Sequence, residues 1–303
     1  MELTRNRLIG RYVGGSIALQ FCAIICAITI ITGITILITY PDSSIIANPY
    51  YLFIVNDVCM YGIGTIGLWH FVKRLPPQAP VSTVKLKPIH YVGIIWGAYG
   101  TASVINVILE AFITALDRVI DIADMSSTTD ILSSIPLGLS IIVSVAISPI
   151  CEELIFRGIM LPRFCRGGER FGILCSSAAF AFFHGNITQG AYAFVIGIIL
   201  AIVVRRTGKI QDSIIIHCFL NAISACIITP ISTIDSNIAV AVDTIIAVIG
   251  IAIPFAFDKL ILAEANILAN QDFDTPIWHS SIVLDLVLYI GILYCFAGTI
   301  MAL

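Results

Sequence analysis

Charge is what this chain has least of. Asp, Glu, Lys and Arg make up only 12% of its 303 residues, about half of the ~25% usual in soluble domains. Polar linkers are scarce too. The longest run over 73–89, with Pro76, Pro77, Pro80 and Pro88, and over 258–278. There is no low-complexity tract, no internal repeat and no stretch that reads as a soluble domain. A chain that is 58% hydrophobic has more apolar surface than a water-soluble fold could hide. What remains is an all-α polytopic bundle in a lipid bilayer, because a helix satisfies its backbone within one segment. A net charge of -3 offers no basic surface for a nucleic-acid partner. The nine cysteines contain no CxxC and lie mostly in apolar runs, so they read as small buried hydrophobes.

Nine apolar stretches come near the ~20 residues that cross a bilayer. They cover roughly 13–40, 50–72, 90–116, 132–161, 171–187, 190–204, 211–230, 238–257 and 279–302, which predicts eight or nine spans. The first is too long for a cleavable signal and lacks an A-x-A site, so it reads as a retained helix. Basic residues orient the set. With a cytoplasmic N-terminus, fifteen of the sixteen Lys and Arg fall on the inner side, and Arg118 alone falls outside. The outer loops carry Asp42, Asp117, Asp121, Asp124, Asp130 and Asp235. This is the bias expected of cytoplasmic loops. Asp57, Glu110, Asp243 and Asp285 lie near span ends, as do His70, His90 and His279, where a wet rim suffices. Gln20 and Asn106 read as hydrogen-bonding links between helices.

One stretch breaks the pattern. No charge occurs from Ile131 to Cys151; then comes Glu152-Glu153-Leu154-Ile155-Phe156-Arg157. An ionisable residue in a membrane segment costs at least ~2.5–3.5 kcal/mol on insertion scales and is read first as functional. Glu153 and Arg157 are four apart and share a helical face, where they neutralise each other. Glu152 points about 100° away and needs a partner from another helix. Pro149, three residues earlier, predicts a kink. At ~1.5 Å per residue, Glu152 lies about 16 Å in from Arg163, His217 roughly 9–17 Å in from Gln211 or Arg206, and His184 about 21 Å in from Arg170. Three ionisable groups at similar depth on neighbouring spans suggest a shared site. Phe180 precedes His184 by four residues, and Asn221 follows His217 by four. Asn221 is placed to hold the His217 ring or to add an amide donor.

A carboxylate facing two imidazoles can activate water for attack on a peptide carbonyl, with His and Asn donating to the oxyanion. Glu152, His184 and His217 could equally hold a metal such as zinc, though no cofactor is required by the residues themselves. HExxH, GxGD and GxSxG are all absent, against the zincin-like, presenilin-like and rhomboid classes of intramembrane protease.

Three motifs occur in order: EExxxR at Glu152–Arg157, FxxxH at Phe180–His184 and HxxxN at His217–Asn221. Together they resemble the CPBP family of CAAX proteases and bacteriocin-processing or immunity proteins, the Abi domain. The resemblance covers about residues 132–230. It implies a catalytic core there, between transmembrane regions 1–131 and 231–303 that match nothing recognisable. It also implies that Glu152 is the general base, that His184, His217 and Asn221 complete the site, and that Glu153, Arg157 and Phe180 support it. The family includes enzymes of the Ras-converting type, which remove the last three residues of prenylated CAAX proteins at a site open to the cytosol. The expected partners are the bilayer and a prenylated or hydrophobic peptide. A non-catalytic immunity or scaffold protein and a transporter are the competing classes; a transporter would tend to show repeats.

Overall fold

The structure is a computed structural model that describes residues 2–40, 44–46, 48–81, 83–120, 136–185 and 187–256. Among these residues every regular element is a helix. We number them α1 (Glu2–Thr39), α2 (49–72), α3 (Pro88–Ile120), α4 (Leu137–Gly167), α5 (Glu169–Phe183), α6 (Ile187–Thr207), α7 (Ile210–Ile234) and α8 (Ser236–Ala256). Six are long and apolar enough to cross a membrane: α1, α2, α3, α4, α6 and α7. α5 has only 15 residues, about 22 Å at the helical rise, short of the ~30 Å hydrocarbon core. α8 runs for 21 residues, Ser236–Ala256, and its apolar stretch includes Ser236–Gly250. The ninth expected span, 279–302, lies outside the described residues. The described residues fall into two compact units, those up to 77 with 136–140, and those over 78–120 with 141–256.

In the first unit, α1 packs on α2 through small residues. A Cβ at Gly67 would stand 3.1 Å from the Ala23 methyl carbon, so the two backbones come close. Tyr51 donates a hydrogen bond to the Thr35 hydroxyl at 2.8 Å. Gln20 was expected to link helices. It is buried, and its amide has no hydrogen-bond partner among the described residues.

The second unit carries the three motifs. Its core joins Ile95 and Ala98 of α3, Leu200 and Val203 of α6, and Ile216, Leu220 and Ile223 of α7. α8 lies against α3, where Tyr99 and Ser103 donate to Asp243. Asp243 was expected at a wet rim, and it instead ties two helices together. Asn106 was expected to reach another helix; it bonds Glu110 on its own, at 3.1 Å. The proline-rich linker is strapped down. Gln78 N–H donates to Pro162 O at 2.7 Å, Val81 N–H to Arg205 O at 3.0 Å and Val84 N–H to Arg206 O at 2.9 Å. Arg205 pairs with Glu169 and donates to the carbonyls of Gln78 and Ala79. The strap fixes the ends of α4, α5 and α6, the three helices that supply most of the site.

Candidate active site

The helix that carries Glu152 is not uniformly α-helical. Ser148–Glu153 is a short α segment between two π turns, Val143–Ile147 and Leu154–Met160. Pro149 accounts for the first. It has no N–H to give, and the Ser148 N–H reaches back five residues to the Val143 carbonyl. A π turn adds one residue to a turn and so re-aims the side chains that follow. Both acids therefore leave a locally rewound segment, and both are buried, Glu152 at 7% exposure and Glu153 at 0%.

Arg157 answers Glu153 at once: Nη1 stands 2.9 Å from Oε1, and both side chains are fully enclosed. A guanidinium has donors left over. Nη2 donates to the Gly197 carbonyl of α6 at 3.3 Å. The charged carbon lies 4.3 Å from the centroid of the Phe180 ring, a cation–π contact that neutral surroundings strengthen. Gly197 permits this. A Cβ there would stand 3.0 Å from the Ser177 Cβ and 3.3 Å from Phe180 Cδ1.

His217, on α7, sits between the two acids. Its Nδ1–H donates to Glu153 Oε1 at 3.0 Å. Its Nε2 stands 3.7 Å from Glu152 Oε2. Glu152 was expected to meet a group from another helix, and this imidazole is one such neighbour. Glu153 does two things at once. It neutralises Arg157, as spacing predicted, and it fixes the tautomer and tilt of His217, which spacing did not reveal.

His184 closes α5, and Gly185 at φ 67° ends the helix just after it. Its Nδ1–H donates to the Phe180 carbonyl at 2.8 Å. That leaves Nε2 with its lone pair. Phe180 is the hub of the cluster: it stands edge-to-face with His184 at 4.8 Å, His217 at 5.6 Å and Phe156 at 5.4 Å. His184 lies close enough to feel the charges of Glu152, His217 and Arg157. The chain thus brings Glu152, Glu153, Arg157, Phe180, His184 and His217 together. It also brings Tyr192 of α6 within electrostatic reach of Glu152, a neighbour with no motif to announce it.

Asn221 departs from expectation. Its Nδ2 donates to the Ser144 carbonyl of α4 at 2.8 Å; the His217 ring is held by Glu153 instead. A metal does not fit the arrangement either. Among the described residues no three His, Cys, Asp or Glu side chains are grouped to hold one. The expected trio Glu152, His184 and His217 is not among such groups, and no step below passes through a metal.

Comparison with known proteins gives one match. Residues 134–223 match the family model described as Rce1-like, type II CAAX prenyl endopeptidase. No curated protein and no solved structure matches the chain. The matched stretch contains all seven motif residues, from Glu152 to Asn221. The segment that holds the cluster is therefore similar to the CAAX-protease family to which its three motifs pointed.

Proposed function

We propose that this chain is an intramembrane endopeptidase that removes the C-terminal tripeptide of prenylated CAAX proteins with water activated by Glu152. Residues 132–230 form its catalytic core. The observation that carries this reading is a buried carboxylate 3.7 Å from an imidazole Nε2 whose Nδ1–H is already held by a second carboxylate. The roles follow from which nitrogens are taken. His184 has its Nδ1–H on a backbone carbonyl, so its Nε2 accepts a hydrogen bond from water. Glu152, Glu153 and Arg157 sum to one negative charge. A single proton on the Glu152–His217 pair neutralises it, and held on His217 Nε2 that proton donates to a substrate oxygen. The water oxygen attacks the scissile carbonyl carbon while Glu152 takes the water proton. The charge that builds on the carbonyl oxygen is met by the His217 N–H. The C–N bond then breaks, and Glu152 returns its proton to the leaving amine. The products are a new carboxylate on the prenylated cysteine and a free tripeptide.

Purified protein incubated with a farnesylated CAAX peptide should release the intact tripeptide, read by mass spectrometry. Cleavage of unprenylated peptides alone would refute the prenyl-substrate reading. No cleavage of any CAAX or leader peptide would favour an immunity or scaffold role.

The site opens to the cytosol in this reading, with the N-terminus on the same side and eight or nine spans in all. The basic residues support it. Cysteines introduced at 85 and 206 should label from the cytoplasm, and cysteines at 124 and 235 from outside. Labelling of 85 and 124 from the same side would overturn this topology.

A further inference from the structure

Asn221 ends the third motif, where an amide would be taken for a donor to substrate. Its contact lies elsewhere. The Nδ2 donates to the Ser144 carbonyl, 77 residues away in sequence, at 2.8 Å. Ser144 lies in the π turn Val143–Ile147, where the donor for a carbonyl is the N–H five residues on. Ser148 N–H keeps that register by reaching Val143 O. The corresponding donor for Ser144 O would be residue 149, and Pro149 has none. In an apolar setting a backbone carbonyl needs such a donor. The amide of Asn221 stands where that N–H is missing.

From this geometry we infer that Asn221 is a positioning residue: its amide replaces the helix bond that Pro149 cannot make, and so latches the turn that aims Glu152 to the helix that carries His217. Glu152 is three residues beyond the proline, and His217 is one helical turn before the asparagine. One hydrogen bond therefore sets the separation of the two reacting groups. The inference rests on the proposed hydrolysis for its catalytic consequence, but the latch itself is independent of it.

A double-mutant cycle separates the two. Asn221→Leu keeps about the same volume and removes the donor. With one net hydrogen bond worth ~0.5–1.5 kcal/mol, kcat on a farnesylated peptide should fall about 2- to 13-fold, with KM held within about twofold. The melting temperature in detergent should fall by ~2–4 °C per kcal/mol. Pro149→Ala restores an N–H at residue 149 and gives Ser144 O a backbone donor. In that background Asn221→Leu should cost less than half as much in both readouts. Pro149→Ser supplies the same N–H and serves as the background if the alanine variant does not fold. Equal melting-temperature losses with and without the proline would overturn the latch. A kcat loss undiminished in the proline-free background would also overturn it, and would assign Asn221 to the substrate. If the melting-temperature coupling appears while no protein in the cycle cleaves any peptide, the latch stands and the proteolytic reading fails.

Discussion

Glu152→Gln should lower the rate of CAAX-peptide cleavage by at least ~10²–10⁴-fold, the usual worth of a general base. The substitution keeps the shape of the side chain and its place beside His217, and removes only the ability to take a proton. Folding should not suffer. Glu152 is buried at 7% exposure, so removing its charge should leave the melting temperature the same or raise it. His184→Ala and His217→Ala should be comparably inactive. Combining either with Glu152→Gln should add little, because groups that act on one water are not additive. The measurement is single-turnover cleavage beside a thermal melt of each variant. A Glu152→Gln protein that cleaves at near wild-type rate would end the glutamate-base mechanism, whatever its stability.

The parts of this site that were legible in the sequence are those set by charge against an apolar background. Glu152 and Glu153 stand out because nothing charged occurs for twenty-one residues before them. His184 and His217 could be placed at the depth of Glu152 by counting helical rise. Spacing also paired Glu153 with Arg157. What spacing could not reveal is that one carboxylate serves two partners. Glu153 Oε1 takes both the guanidinium and His217 Nδ1–H, and the second contact crosses helices 64 residues apart. The proline announced a bend, but not whether the helix would break or rewind into π turns. Nor could spacing show that a donor from α7 meets the Ser144 carbonyl in the first of them. Asp243 misled for a related reason. Its nearness to a span end suggested water, and the Tyr99 and Ser103 hydroxyls that meet it lie about 140 residues upstream. The stretch 171–187 reads as a span from its apolar composition; its helix, Glu169–Phe183, has 15 residues.

Arg157→Ala should be the most destabilising single change in the cluster, at ~3–5 kcal/mol, because it leaves a buried carboxylate without its counter-charge. The expectation is specific to this geometry. Arg157 is 1% exposed and Glu153 is 0% exposed, so water cannot replace the lost guanidinium. The truncation also removes the bond to the Gly197 carbonyl and the cation over Phe180. It leaves behind a cavity of guanidinium size in the hub that seats both histidines. Arg157→Lys separates these effects. It restores a positive charge, yet its single ammonium cannot reach Glu153 and Gly197 together in a fixed fork. Its stability should lie between wild type and alanine. The hold of Glu153 on His217 Nδ1 should survive in the lysine variant, so cleavage should persist there at a reduced rate. Chemical unfolding in detergent, followed by near-ultraviolet dichroism, gives the order of the three proteins. An alanine variant as stable as wild type but inactive would mean that the ion pair acts in the chemistry, and the supporting role assigned to Arg157 would be wrong. A lysine variant no better than alanine would mean that geometry, more than charge, holds Glu153 in place.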